Sequence, residues 1–433
     1  MRNRKLKVVV GVTFVAGIAS GMFLAHHGLP GMSFTHSAQA AGDDSKDAVT
    51  FLPDASPTKA RPASERQAYF PGTEDLGPDE MRVTATGTGM PTARPKQAAT
   101  CWLVELGNGD KFLFDMGTGS AERVSAMRIP WDYLNKAFIS HLHTDHFGDF
   151  DAFYVGGWVG GRNTPFHVWG PSGDKPEFGT KYALEHFAKA LTWDVECRKG
   201  NIPASGGQLF IHEFDYKQEN KVVYQENGVT IRSWPAIHAI DGCVSYRLDW
   251  NGLSFVFGGD TYPNKWFAKY AKNADLVVHE CFITVPQLIE KYKWSPQTAL
   301  QVGTQVHTAP EAAGKVFSIV KPRMAIAYHF FNDWDTVNDI YSRIRTTYDG
   351  PLSLATDYMV WNVTKDDIRV RMCGIMEDVW PPQPATKVKP PDPSIRILKS
   401  KFVDGGKLDV TDVISPIYDE VNKKYGTNEK PPK

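Results

Sequence analysis

The sequence has few cysteines and none of the paired spacings that hold metals or carry redox chemistry. Its five cysteines are spread singly along 433 residues and form no CxxC motif. They are Cys101, Cys197, Cys243, Cys281 and Cys373. The spacing therefore indicates neither a thiolate zinc knuckle nor a redox motif. We expect most of them to be small core residues, although an oxidising compartment would permit one or two disulfides.

The sequence also lacks an excess of charge of one sign, an internal repeat and a low-complexity tract. Its formal net charge is −1, and the first forty residues carry four basic side chains and no acid, which leaves −5 for the rest. A mildly acidic body has no general attraction for phosphate backbones. The absence of repeats argues against a solenoid. Hydrophobic and charged fractions of 42% and 22% exclude global disorder.

The first forty residues have the pattern of an export signal. Basic side chains at the start are followed by an apolar stretch over 8–25 and by a small-x-small sequence that ends at Ala40. We expect cleavage after Ala40 and a periplasmic location for the remainder. The alternative is an uncleaved membrane anchor, because the apolar stretch approaches the length of a membrane span. Three glycines within the stretch favour removal.

Composition divides the rest of the chain into three parts. Residues 41–80 are polar with scattered proline and alanine, which predicts a flexible leader. Residues 81–380 contain recurrent short β-rich runs and helical stretches, which predict one layered α/β domain. Residues 381–433 begin with prolines that predict a linker, and their later hydrophobic spacing predicts a helix that docks back on the body.

Residues 140–149 are the decisive segment, because four metal-competent side chains lie within six residues after an apolar run. They are His141, His143, Asp145 and His146. In an extended or turning segment the first two point to one side, and the last two can reach a second position. One short loop can thus serve two adjacent metals. Histidine and carboxylate ligands leave room for bound water and suit catalysis, whereas closed structural zinc sites prefer cysteine.

A loop this short cannot complete two coordination spheres, so further ligands are expected at the ends of later strands. Three residues meet this need, because each follows an apolar β-rich run: His238, Asp260 and His329. Glycines before Asp260 allow a tight turn there, and an aspartate can bridge two cations. The shared placement at strand ends supports all three as ligands.

On these residues the chain resembles the metallo-β-lactamase superfamily, and within it the branch that contains ribonuclease Z and the zinc-dependent arylsulfatases. The resemblance covers roughly residues 81–362. It includes TGTGMP at 86–91, FDMGTG at 114–119 and WGPSG at 169–173. It implies a four-layer αββα sandwich made of two similar halves, with metals at the edge of the paired sheets.

The resemblance also implies which residues hold two divalent ions. The first ion would be held by His141, His143 and His238. The second would be held by Asp145, His146 and His329, with Asp260 bridging the two. Zinc is the expected metal, and manganese and iron remain open because histidine and carboxylate ligands suit them too.

A further match to the branch is the segment HTAPEAA at 307–313. Thr308 followed by Glu311 has the form of a capping box, which predicts a helix just after His307. In the ribonuclease Z branch the histidine of this motif faces the substrate as a proton donor, a role that the resemblance implies for His307. The alternative is a solvent-exposed histidine that precedes a helix.

The ligands and the resemblance together predict a hydrolase that uses a metal-activated hydroxide. Asp145 would orient the hydroxide, and His307 would protonate the leaving group. Ribonuclease Z activity itself is not expected, since that family recognises transfer RNA with an arm between the third histidine motif and the bridging aspartate. Here His238 and Asp260 are only 22 positions apart. We therefore expect no nucleic-acid partner.

The expected substrate is a small, partly aromatic molecule, because aromatic and glycine residues are frequent over 147–169 and 330–334. Aryl sulfate, phosphodiester and lactone hydrolysis are open choices, and hydrolytic removal of halide from an activated ring is related to them. The alternative class is a non-hydrolytic iron redox or metal-binding protein on the same scaffold. It is disfavoured because the di-iron branch typically has glutamate where His143 stands, and no flavin-binding segment follows.

Overall fold

The computed structural model describes residues 66–376, 380–386 and 392–431. The predicted export signal and most of the predicted leader lie outside these residues. Within them, no helix combines the length and the apolar character needed to cross a membrane.

Sixteen strands are found in the described residues. In chain order they are β1 (Ala68–Tyr69), β2 (Met81–Gly87), β3 (Cys101–Leu106), β4 (Lys111–Phe114), β5 (Lys136–Phe138), β6 (Phe166–Pro171), β7 (Leu209–Phe214), β8 (Lys221–Glu226), β9 (Val229–Pro235), β10 (Val244–Trp250), β11 (Leu253–Phe257), β12 (Leu276–Glu280), β13 (Met324–Tyr328), β14 (Leu352–Leu354), β15 (Met359–Val363) and β16 (Ile368–Cys373). They form two sheets. The first has nine strands in the order β1-β16-β15-β2-β3-β4-β5-β6-β7, and the second has seven in the order β14-β13-β12-β11-β10-β9-β8.

The helices connect the strands and cover the sheets. They are α1 (Ser120–Ser125), α2 (Thr144–Phe147), α3 (Gly157–Val159), α4 (Thr180–Ala190), α5 (Thr192–Arg198), α6 (Lys265–Tyr270), α7 (Val285–Glu290), α8 (Pro296–Gln301), α9 (Pro310–Val320), α10 (Trp334–Ile344), α11 (Lys401–Asp404) and α12 (Thr411–Tyr425). Two π-helical turns, Ala152–Gly156 and Val302–Val306, are also present. Each sheet contains a run of four parallel strands, β4–β7 and β11–β14, so the two halves are alike.

The main core lies between the two sheets. Side chains alternate along each strand, and in β3 the Trp102 and Val104 side chains join this central core while Leu103 faces the opposite side. A second cluster lies between the outer face of the first sheet and its helices, and includes Leu184 of α4. A third covers the outer face of the second sheet and includes Phe317 of α9. These layers make the four-layer αββα sandwich that was predicted.

The folded part begins earlier than the predicted boundary at Met81. The strand β1 pairs in parallel with β16 and extends the first sheet by one strand. Arg371 of β16 also forms an ion pair with Glu74, and its guanidinium lies near the ring of Tyr69. Residues 68–80 are thus held by strand pairing and by an ion pair. The polar composition of this segment gave no indication of either contact.

The C-terminal segment follows the body and then leaves it. Thr386 donates hydrogen bonds to Asp132 from its backbone nitrogen and its hydroxyl, at 3.0 and 2.9 Å. The predicted tail helix is present as α12, but none of its residues is buried. The expected docking of this helix on the body is therefore absent from the described residues.

All five cysteine thiols are free.

Candidate metal centre

The predicted site residues converge at one edge of the sandwich, where strands from both sheets end. His141 and His143 follow β5, and His238 follows β9. Asp260 follows β11, and His329 comes directly after β13. Because these strands run in the same direction within each sheet, their carboxyl ends place distant parts of the chain next to each other.

Asp115, which sequence analysis did not assign to the site, holds the loop at 139–146. One of its oxygens accepts a hydrogen bond from the Ser140 nitrogen at 2.7 Å, and the other lies 2.5 Å from His146 Nδ1. Asp115 itself has a φ of +62°, a left-handed conformation that turns the chain sharply after β4. With Nδ1 engaged, His146 presents Nε2 to the cluster.

One group of ligand atoms comes from His141, His143, His238 and Asp260, and all of them lie within 4.8 Å of one another. His143 Nδ1 is 3.1 Å from His141 Nε2 and 3.2 Å from His238 Nε2. The Nδ1 of His238 donates to the backbone oxygen of Val306 at 3.2 Å, which leaves Nε2 as the atom that faces the group. Three imidazole nitrogens and one carboxylate therefore surround a single position.

A second group comes from Asp145, His146, Asp260 and His329, all buried and also within 4.8 Å of one another. His329 Nε2 is 3.1 Å from Asp145 Oδ2 and 3.1 Å from Asp260 Oδ2. His146 Nε2 is 3.4 Å from Asp260 Oδ1. Asp260 belongs to both groups, as expected for a residue placed between two cations.

The buried polar atoms of this centre fit a cationic occupant. Neither carboxylate oxygen of Asp260 accepts a hydrogen bond from the described residues, and the same is true of Asp145 Oδ1. His146 Nε2 is also buried without a hydrogen-bond partner among them. Buried carboxylates without donors are costly unless a cation is present. The donor set of imidazoles and carboxylates suits divalent ions of the zinc class.

The three-histidine group favours neutral imidazoles, whereas at His146 the carboxylates of Asp260 and Asp145 outweigh burial and raise the pKa well above its ordinary value. Burial, followed by the charge of His146, lowers the pKa of His141 well below its ordinary value. Burial likewise lowers the pKa of His238 to about 4. For Asp260 burial opposes ionisation, but the imidazoles of His329 and His146 outweigh it and hold the pKa well below the ordinary range. Neutral imidazoles keep the lone pairs that metal ligation requires.

His307 lies beside the centre and is held by Glu280, which sequence analysis did not identify. His307 Nδ1 is 2.8 Å from Glu280 Oε2, and the ring stacks on Phe282 at 4.1 Å. Burial disfavours the charged ring, yet the Glu280 carboxylate dominates and raises the pKa of His307 to about 9. Glu280 Oε1 also accepts from the Thr261 nitrogen at 2.8 Å, so one carboxylate fixes His307 and the loop after Asp260.

The predicted capping box after His307 is wrong. The helix α9 begins at Pro310, and the Thr308 hydroxyl donates to the Thr261 carbonyl at 2.6 Å instead of capping it. The Glu311 side chain pairs with Arg343 at 2.8 Å. A proline at the first helical position has no N–H to be capped, so the threonine is available to tie the segment to the loop after Asp260.

Most of the aromatic stretch after the metal motif packs in the core. Phe150, Phe153 and Phe166 are fully buried beneath the first sheet. Phe330 is buried in the helix-covered face of the second sheet. His279, buried at the end of β12, bonds the Glu280 carbonyl through Nδ1 at 2.7 Å and makes no hydrogen bond to the predicted ligands among the described residues.

Comparison with known protein families identifies the chain. A family model described as the β-lactamase superfamily domain matches residues 110–330, just over half of the chain and the part that carries every predicted ligand. The chain belongs to the metallo-β-lactamase superfamily. Its relatives and the His/Asp cluster place it in the ribonuclease Z-like branch, as a metal-dependent hydrolase.

The relatives are similar over part of their length. The ribonuclease Z of Mycobacterium marinum is 28% identical over 208 residues, which cover 46% of this chain and 70% of that protein. The ribonuclease Z of Mycolicibacterium gilvum is 28% identical over 205 residues, covering 46% and 68%. Among solved structures, the metallo-β-lactamase fold protein YhfI of Bacillus subtilis is 19% identical, with a TM-score of 0.49, and covers 66% of this chain and 100% of its own.

The branch motifs explain which site residues sequence reasoning found and which it missed. The metal motif was recognisable because its three histidines lie within six residues of the chain. Asp115 stands within the quoted FDMGTG segment, but nothing local indicates that its carboxylate contacts His146, 31 residues later. Glu280 ends an apolar strand, and a single acid at that place was the only signal available.

Proposed function

We propose that this chain is an exported hydrolase that binds two divalent ions, most simply zinc, and cleaves a small ester-type substrate. The observation that carries the proposal is the position of Asp260. Its carboxylate lies between a three-histidine group and a second group of two histidines and Asp145, and the described residues donate no hydrogen bond to it. A bridging carboxylate in a dinuclear site has this environment.

Divalent ions held here would supply Lewis-acid activation of water and of the substrate oxygen. The residues of the chain would supply orientation and a proton. Asp145 Oδ1 is buried and accepts no hydrogen bond from the described residues, so it can orient a water molecule that attacks the substrate. His307 is held through Nδ1 by Glu280, which leaves Nε2 as the atom able to protonate a departing alkoxide or phenoxide.

A small substrate is proposed in preference to RNA because the described residues between His238 and Asp260 contain no inserted arm. The connection between β9 and β10 spans only residues 236–243, which include His238. The body of the chain is also mildly acidic, which disfavours contact with a phosphate backbone. Because the relatives are named ribonuclease Z, the experiment must also test for RNA cleavage.

The experiment is a hydrolysis screen with metal content measured on the same sample. The panel contains an aryl sulfate, an aryl phosphodiester, a lactone, an activated aryl halide and a precursor transfer RNA. We expect about two zinc-class ions per chain, hydrolysis of at least one small substrate and no RNA cleavage. Replacement of His143 by alanine removes a ligand of the first group, so activity should fall by at least about a hundredfold.

The matched control is His186→Ala. His186 lies on the exposed face of α4, where its ring bonds the Tyr182 carbonyl at 2.8 Å, and it is remote in sequence from every ligand. This variant should keep the metal content and the activity of the natural protein. Full activity in His143→Ala contradicts the assignment of the centre. Iron content accompanied by oxygen consumption supports the redox alternative instead.

A further inference from the structure

Thr261 follows Asp260 in the chain and lies where three loops of the centre meet. The loops over residues 236–243, 258–264 and 302–308 carry His238, Asp260 and His307. Thr261 is completely buried. A buried hydroxyl is costly unless it is hydrogen-bonded, so its partners indicate what it holds in place.

The hydroxyl of Thr261 makes three hydrogen bonds. It accepts from the Ile237 backbone nitrogen at 3.1 Å and from the Asn264 side-chain amide at 2.9 Å. It donates to the Tyr262 carbonyl at 2.9 Å. A hydroxyl has one proton to donate and two lone pairs that accept, so its capacity is fully used. The bond from Ile237 reaches across 24 residues to the residue directly before His238.

The backbone of Thr261 holds the other two loops together. Its nitrogen donates to Glu280 Oε1 at 2.8 Å, and its carbonyl accepts from the Thr308 hydroxyl at 2.6 Å. Both bonds use backbone atoms of Thr261 and therefore do not depend on which side chain stands at that position. Asp260 and His307 should thus keep their places when the hydroxyl alone is removed.

Ile237 is held at both its nitrogen and its carbonyl. Besides the bond from its nitrogen to Thr261, its carbonyl accepts from the Tyr262 nitrogen at 2.6 Å. Two bonds fix the direction in which the chain enters His238, whereas the carbonyl bond alone would let the chain rotate about it. The His238 ring then needs only the Val306 carbonyl, 3.2 Å from Nδ1, to present Nε2 to the first group.

We propose that the hydroxyl of Thr261 positions His238 and thereby sets the affinity of the three-histidine group for its ion. Each group holds one ion in the proposed function, on which this assignment rests. Thr261 supplies none of the ligand atoms of either group. It is therefore a positioning residue that acts through His238, and loss of its hydroxyl should change metal binding at that group.

The second group is positioned independently of the Thr261 hydroxyl. Its ligand His146 is held by Asp115 through Nδ1, and His329 is held through its backbone nitrogen by the Thr88 carbonyl. Neither contact involves the loop over residues 236–243. Loss of the hydroxyl should therefore weaken one ion and spare the other, a pattern that general loosening of the fold would not give.

The test titrates zinc into the metal-free full chain in competition with a chelating dye. Thr261→Val keeps the shape of the side chain but cannot accept from the Ile237 nitrogen. We expect the natural protein to bind two ions per chain, and this variant to bind one of them at least about tenfold more weakly. Thr261→Ser, which keeps the hydroxyl, should bind both ions like the natural protein. In a His143→Ala background, where the first group is already broken, Thr261→Val should not weaken the ion that remains.

The control is Thr347→Val, because the Thr347 hydroxyl donates to the Glu311 carbonyl at 2.7 Å in the helical layer. It loses a threonine hydrogen bond too, but both ion affinities should stay unchanged. Thr261→Ala removes the same hydroxyl by truncation and gives the same test should the valine variant not fold. Unchanged binding in these two variants, equal weakening of both ions, or weak binding by Thr261→Ser overturns the proposal. A natural protein that binds fewer than two ions contradicts the proposed function and this assignment together, so the two failures are distinguishable.

Discussion

Two carboxylates outside the predicted ligand set fix the orientation of two site imidazoles. Asp115 engages Nδ1 of His146, and Glu280 engages Nδ1 of His307. In both cases the partner decides which ring nitrogen faces the centre. The two imidazoles differ in position. His146 faces the buried carboxylates of the centre, whereas His307 lies at its edge.

The first prediction concerns Glu280→Gln. The amide keeps the shape of the side chain and an oxygen for the Thr261 nitrogen, but it removes the negative charge that holds His307 in its proton-donating form. We expect kcat for the substrate found in the screen to fall about 10- to 100-fold. The metal content, measured by elemental analysis, should stay unchanged.

Glu311→Gln is the control for that prediction, since Glu311 pairs with Arg343 on the helical layer. It should alter neither kcat nor metal content. If Glu280→Gln loses metal in proportion to activity, Glu280 acts through the metal ligands, and its role as the residue that positions His307 is wrong.

Among the elements, the loop over residues 88–98 determines the position of His329. That histidine has a φ of +75°, and its backbone nitrogen donates to the Thr88 carbonyl at 3.1 Å. Asp357 in turn accepts from the nitrogen and the hydroxyl of Thr88 at 3.0 and 2.8 Å, and from Ala98. A left-handed backbone at a residue other than glycine is strained, and this network holds it in place.

The second prediction is that Asp357→Asn weakens metal binding without touching a ligand. Asp357 also accepts from Arg123 Nε at 2.8 Å. The amide can satisfy only part of these four hydrogen bonds, so the loop loosens and His329 moves relative to Asp145. We expect metal affinity to fall about tenfold, as measured by competition with a chelating dye. Asp249→Asn, which removes a partly exposed pair with Arg247 outside this loop, should leave affinity unchanged. If both variants bind the metal with equal affinity, the hydrogen-bond network around Asp357 does not position His329 for metal binding.

A third prediction concerns the π-helical turn Ala152–Gly156. Arg162 is fully buried, and its guanidinium donates to the carbonyls of Phe153, Tyr154 and Gly206 at 2.6, 2.6 and 3.1 Å. Arg162→Met keeps the apolar stem but leaves these acceptors without donors. The free energy of unfolding should fall by about 2–4 kcal/mol in denaturant titration. Arg198→Met, at a partly exposed pair with Asp194 on α5, should change it by less than about 0.5 kcal/mol.

Local pattern predicted the strands well and the irregular elements poorly. The short β-rich runs expected over residues 81–380 include those that form β3, β4 and β11, because alternation and burial depend on neighbouring residues. The π-helical turn Val302–Val306 has no local signature, although it delivers the carbonyl that fixes His238. The role of Thr308 was misread for the same reason, since its partner Thr261 is 47 residues away.

On the scale of the whole molecule, the centre joins the two halves of the sandwich. His141, His143 and His146 come from the first sheet, whereas Asp260 and His329 come from the second. The ligand types could be read from the chain because strand ends are local features. Their meeting could not be read without the family resemblance, because it depends on how two sheets pack through the central core.

The last prediction follows from this placement: removal of metal should loosen the contact between the halves. Ions that bind the folded chain alone stabilise it by an amount that grows with their concentration relative to the dissociation constant, about 4 kcal/mol at a thousandfold excess. Removal also leaves the carboxylates of Asp145 and Asp260 buried beside each other without a cation.

We expect a strong chelator to lower the melting temperature by about 5–10 °C in calorimetry, and added zinc to restore it. Asp260→Asn supplies the control, because a chain that cannot bridge the two groups should melt at nearly the same temperature with and without chelator. Unchanged melting of the natural protein in chelator, with loss of metal shown by elemental analysis, would mean that the sheets hold the centre together unaided. The cations would then contribute nothing to the stability of the fold, and the central core alone would set the geometry of the site.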